Sequence, residues 1–167
     1  YSGSITTTAG PTTTAGPGNT VKFDDKFSTA YTISSDNKAV TFKAKFIGGL
    51  RWIAIGVSPK GDMNNGGAGS DIVACANGAV KRYFVTEYSV SEGNGKDVAG
   101  ATCTQSSSET VMTFTRNAAA SGTKEHPLLL DGTDTQLIWA YSENPGEKEL
   151  GFHGGNNGGC RINERPI

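Results

Sequence analysis

Polar and apolar positions alternate with period two in segment after segment of this chain, and no stretch sustains the 3.6-residue period of an amphipathic helix. Lys38 to Phe46 is the cleanest case: Val40, Phe42, Ala44 and Phe46 fall on one face, with Lys38, Thr41, Lys43 and Lys45 distributed between, mostly opposite. This predicts a half-buried strand. Arg51 to Val57 is apolar almost throughout and predicts a strand covered on both faces. Thr20 to Phe23 and Tyr31 to Ile33 predict two short strands at a sheet edge, divided by a polar turn. Asp71 to Cys75 and Val80 to Val85 flank Ala76-Asn77-Gly78-Ala79, and Asn-Gly between β-rich runs predicts a tight hairpin. Residues 101 to 106 and 110 to 116 predict a second hairpin around Ser107-Ser108-Glu109. Residues 117 to 134, containing His126-Pro127, predict a long connection into a central strand, Gln136 to Tyr141. The expectation is an all-β protein, a sandwich of two antiparallel sheets with about nine or ten strands.

The chain's 167 residues suit one domain with a proper core, and its 23 glycines suit short strands joined by many turns. A net charge of −1 with both signs interspersed argues against nucleic-acid binding, since there is no basic stripe. No apolar run approaches the roughly 20 residues of a spanning helix. Thr6-Thr7-Thr8-Ala9-Gly10-Pro11 repeats unchanged as Thr12-Thr13-Thr14-Ala15-Gly16-Pro17. Such a repeat predicts an extended, O-glycosylated linker over residues 1–18, ahead of a folded domain over 19–167, in a secreted or cell-surface protein whose leader has been removed. There is no Asn-x-Ser/Thr acceptor to add support.

Cys75, Cys103 and Cys160 are odd in number, which in a secreted chain predicts one disulfide and one free thiol, with three pairings open. No CxxC or Cys/His cluster exists, so a zinc site is not expected, and CxxCH attachment of haem is excluded.

Met63 and His153 are the candidate chemistry. Met63 lies in Ser58-Pro59-Lys60-Gly61-Asp62-Met63-Asn64-Asn65-Gly66-Gly67, directly after the predicted strand Trp52 to Val57. His153 lies in Gly151-Phe152-His153-Gly154-Gly155, shortly after Leu137-Ile138-Trp139-Ala140-Tyr141. A thioether and an imidazole are the axial ligands of a six-coordinate electron-transfer haem, in which no position is left for oxygen. Taken singly, a loop Met more often fills a gap and a His among glycines is more often solvated. The other Met and His fit less well: Met112 alternates within a strand and His126 precedes Pro127 in the long connection. Asp71 precedes a strand and is expected to cap a turn. No Ser/His/Asp arrangement or singled-out pair of acids suggests hydrolysis.

Three segments in order and spacing resemble the DOMON family: Trp52-Ile53-Ala54-Ile55-Gly56-Val57-Ser58-Pro59-Lys60-Gly61-Asp62-Met63; then Gly69-Ser70-Asp71-Ile72-Val73 with Val80 to Tyr83 and Met112 to Arg116; and Trp139-Ala140-Tyr141 leading to His153. The resemblance covers most of the domain and implies an Ig-like β-sandwich. It also implies membership of the cytochrome branch, represented by the haem domain of cellobiose dehydrogenase. There, a methionine after the Trp-containing strand and a histidine after the Trp-Ala strand hold a non-covalent haem b, and Met63 and His153 stand at those positions. One departure is that Asn64 to Gly67 lengthen the loop before Ser70-Asp71-Ile72-Val73. Trp52, Tyr83 and Phe152 are then candidates for the apolar walls, and Lys60 and Arg82 for pairing with propionates. The function expected is that of a secreted b-type cytochrome domain, not itself an enzyme. It would pass single electrons between a flavin-dependent donor and an acceptor such as a copper oxygenase. The competing expectations are a haem-free module binding a carbohydrate or other small ligand, and a structural adhesion domain.

Overall fold

The computed structural model describes residues 19–86, 89–93, 98–130, 135–151 and 163–166, with Asn65 and 163–166 described by backbone alone. The expected tail over 1–18, and the calls on Phe152, His153 and Cys160, lie outside the described residues.

The described residues form eleven strands, one 3-10 turn and no α-helix. One sheet has five strands: β1 (Asn19–Lys22), β2 (Phe27–Ile33), β3 (Ala39–Ile47), β8 (Val98–Gln105) and β9 (Glu109–Asn117), in spatial order β1-β2-β3-β9-β8. The other has six: β4 (Ile53–Val57), β5 (Ser70–Ala76), β6 (Ala79–Thr86), β7 (Ser89–Glu92), β10 (Gln136–Tyr141) and β11 (Asn163–Pro166), in order β11-β10-β4-β5-β6-β7. Every pairing is antiparallel. The expected two-sheet sandwich is present. The count exceeds nine or ten because β7 and β11, four residues each, carry no alternation that marks them in the sequence.

The patterned segments fold as their alternation dictates. Val40, Phe42, Ala44 and Phe46 point inward and are fully buried. All five residues of β4 are buried, as a strand covered on both faces requires. Asn77 and Gly78 both take positive φ, 50° and 74°, between Ala76 and Ala79, the backbone of a type I′ turn. The second hairpin, β8 to β9, is also present, with a register shift between Ala99 and Thr102.

Aromatic rings join the two sheets. Phe46 of β3 lies 4.6 Å from Tyr141 of β10, and Phe27 of β2 lies 5.6 Å from Trp139. The Cys75–Cys103 disulfide ties β5 of one sheet to β8 of the other across 28 residues of sequence. Closing a loop of that size stabilises the fold by roughly 3–4 kcal/mol on the chain-entropy model.

Two expectations fail at the interior. Asp71 does not cap a turn: it lies within β5, and its side chain is wholly buried between the sheets. Arg82 is not a surface cation available to propionates, for its side chain is wholly buried beside Asp71. In register, Val57 pairs with Asp71 and Val73 with Arg82, so pleating turns both charges inward. Arg82 Nε donates to Asp71 Oδ1 at 2.7 Å and its Nη2 donates to Oδ2. Arg116 Nη2 of β9 reaches Asp71 Oδ2 at 3.1 Å, and Arg82 Nη1 reaches Glu125 Oε1 at 3.2 Å. Buried ions persist only where geometry and hydrogen bonds compensate lost hydration, and two cations with two carboxylates meet that condition. Burial pushes the Arg116 guanidinium below its ordinary value despite Asp71. For Glu125, burial acts upward, but hydrogen bonds from Ser121 and the charges of Arg82 and Arg116 prevail and lower it.

Candidate functional site

Alternation gives the six-stranded sheet a second apolar face. Ile53, Ile55 and Val57 belong to the inter-sheet core, so Trp52, Ala54 and Gly56 look the other way. Ile138 and Ala140 do the same beside Leu137, Trp139 and Tyr141, as does Ile72 beside Val73. Trp52, Ala54 and Ala74 form a separate buried cluster on this outer face, joined by half-buried Ile72, Ala76, Tyr83, Ala140 and Leu150.

A shallow cleft, opening to solvent and lined almost wholly by apolar side chains, lies on this face. Its floor is Ala54, Gly56, Ile72, Ile138 and Ala140; its walls include Trp52, Met63, Val90, Leu150 and Gly151. Ala54, Gly56 and Ala140 keep part of the floor low. A Cβ at Gly56 would stand 2.4 Å from Ile72 Cγ2, 2.8 Å from the Asp71 carbonyl and 3.1 Å from Ile138 Cγ1, so only glycine lets these strands close.

Met63 sits half-buried at the cleft, in the connection from β4 to β5. The lengthening by Asn64 to Gly67 is taken up locally. Gly67 N and Gly69 N both donate to the Asn64 carbonyl at 2.9 Å, with Gly66 at φ 64° in the 3-10 turn Asn65–Gly67. The extra residues therefore coil beyond Met63 and leave it at the cleft wall. Another part of the lining comes from the segment after β10. Trp52 N donates to the Glu147 carbonyl at 2.9 Å, Asn77 N to the Lys148 carbonyl at 2.8 Å and Gly146 N to the Leu50 carbonyl at 2.9 Å. These bonds lay the segment across the sheet and bring Leu150 and Gly151 to the cleft, two residues before His153 in the sequence.

Of the other candidates, Trp52 lines the cleft and Tyr83 belongs to the same outer-face cluster, where burial raises its phenol above the ordinary value. Lys60 extends back over Gly66, so that a Cβ there would meet its Nζ at 2.5 Å. Met112 is buried in the inter-sheet core, and His126 Nε2 is bonded to the Gly69 carbonyl at 2.9 Å; neither lines the cleft. Ala54 and Gly56 were legible in parity with Trp52. Leu150 was not, because no local pattern announces which loop will lie across a sheet.

An Ig-like sandwich with an apolar cleft on the outer face of one sheet defines the class, and the chain belongs to the DOMON family, whose domain model matches residues 24–142. Its fold is similar to that of the cytochrome domain of Myriococcum thermophilum cellobiose dehydrogenase. That likeness has a TM-score of 0.58 and 16% identity, covering 90% of this chain and 82% of that one. The cytochrome b domain of pyranose dehydrogenase from Coprinopsis cinerea is also similar, with a TM-score of 0.48 and 12% identity over 83% of this chain and 76% of that one. The sequence has no match among curated proteins.

Proposed function

We propose that this is a b-type cytochrome domain that holds a non-covalent haem in the outer-face cleft and carries single electrons between redox partners. The observation that carries the reading is that Met63 lines the same apolar cleft as Gly151, two residues before His153. The cleft's chemistry fits the group: an almost wholly apolar lining suits a porphyrin face, and the thioether of Met63 stands in that lining. Met63 and His153 would hold the haem iron, and the group would supply one-electron chemistry there. Trp52, Ala54 and Ile138 exclude water from the bound face. Tyr83 and Phe152 would add to the walls of the haem site, and Lys60 is the remaining candidate for a propionate. As an electron carrier, the domain would serve a flavin-dependent donor and an acceptor such as a copper oxygenase. Secretion accords with the Cys75–Cys103 disulfide, since such bonds persist in oxidising compartments.

The deciding measurement is the visible spectrum of recombinant protein supplied with haem. Sharp low-spin bands on reduction are expected. A colourless protein overturns this reading in favour of a haem-free module binding a small ligand in the same cleft.

A further inference from the structure

Met63 stands in the middle of a glycine-rich connection, yet the carbonyl next to it is held by two buried hydroxyls. Ser58 Oγ donates to the Asp62 carbonyl at 2.5 Å and Ser70 Oγ donates to the same oxygen at 2.9 Å. Ser58 is fully buried and Ser70 is 2% exposed. The two serines bracket the connection, Ser58 directly after β4 and Ser70 as the first residue of β5. Both stand on the sheet itself: Ser58 N donates to the Gln136 carbonyl at 3.2 Å, and Ser70 pairs with Val85 of β6. Gly61 N returns to the Ser58 carbonyl at 2.9 Å, closing the turn that leads to Asp62. Two donors on one carbonyl use both its lone pairs and fix its direction, which in turn fixes the start of residue 63.

We propose that Ser58 and Ser70 are positioning residues for Met63, a clamp that keeps its thioether at the cleft wall; this rests on the haem reading above. A carrier works best when its ligands hold the same place in both oxidation states, and loops meet that need only when tied to rigid elements. The glycines around Met63 have no side chains with which to tie residue 63 to the sheet. Gly61, Gly66, Gly67 and Gly69 all take positive φ, 64° to 93°, which shapes the loop. The clamp supplies the anchor from both flanking strands.

The test uses the full chain loaded with haem b and carbon monoxide as the probe. In reduced protein, carbon monoxide binds only by displacing the Met63 sulfur, with no change in electron count, so its affinity reports how firmly Met63 is held. The Ser58→Ala/Ser70→Ala double variant is expected to bind carbon monoxide at least about tenfold more tightly than wild type. In a Met63→Ala background the serine substitutions are expected to change nothing. Thermal melting of the haem-free proteins is measured in parallel. Serines that only cap a turn would lower melting and leave carbon monoxide affinity unchanged, and that result overturns the clamp while the cytochrome reading stands. Wild type that takes up no haem overturns the haem reading and the clamp together, whereas wild type that takes up haem but binds carbon monoxide as tightly as Met63→Ala overturns ligation by Met63 and the clamp while haem binding stands. If the double variant fails to fold, each single serine variant is expected to shift affinity in the same direction, and an unchanged affinity in both overturns the clamp.

Discussion

Asp71 and Arg82 face each other across adjacent strands inside the sandwich, both side chains wholly buried and joined by two hydrogen bonds. Arg116 from the other sheet and Glu125 from the long connection complete the network. Its position is structural rather than catalytic, because the cleft lies on the opposite face of the same sheet. Removing one partner leaves an uncompensated buried charge. Asp71→Asn is therefore expected to destabilise the domain by about 3–5 kcal/mol, measured by urea unfolding. A loss below about 1 kcal/mol would mean that the network is solvated in solution.

Glu125 sets a pH dependence. Its carboxyl is held below the ordinary value of 4.5, so its contribution is fully present above that pH and is lost as pH falls through the lower folded value. The urea midpoint should fall below pH 4.5, and Glu125→Gln should flatten part of that fall. A variant with the same acid dependence as wild type would remove Glu125 from the account.

The disulfide prediction concerns both stability and count. Replacing Cys75 and Cys103 by Ala should cost roughly 3–4 kcal/mol, since the unfolded chain regains the freedom of the closed loop. Wild-type protein, unfolded but unreduced, should show about one titratable thiol per chain, Cys160, against about three after reduction.

Gly56 is the floor position where a side chain has no room. Gly56→Ala should cost about 1–3 kcal/mol by forcing Ile72 and Ile138 aside, and should weaken haem retention because those side chains would move into the cleft. Retention equal to wild type would place the ligand elsewhere.

The two ligand candidates should behave differently. His153→Ala is expected to abolish or severely weaken haem retention, whereas Met63→His should keep haem but lower its potential, since methionine ligation raises it relative to imidazole. Redox titration of the loaded variants checks both, and a Met63→His potential equal to wild type would exclude Met63 as the ligand.

Local pattern by itself determined the strands that carry it. Alternation in Lys38 to Phe46, Asn77-Gly78 between two apolar runs and the closed apolar run Ile53 to Val57 each specify their element through side-chain period and turn conformation, and the structure follows them. The sandwich followed from their number, and Met63 was singled out by its loop and the family resemblance. Only the tertiary structure decided the contacts that join distant segments. The pairing of Cys75 with Cys103 depends on the two sheets facing each other. The inward turn of Asp71 and Arg82 depends on Arg116 and Glu125 arriving from elsewhere to compensate their charge. The bonds from Ser58 and Ser70 to one carbonyl depend on β4 and β5 lying side by side. Charges and hydroxyls look polar in a sequence wherever they stand, and burial with a partner becomes visible only when the strands have met.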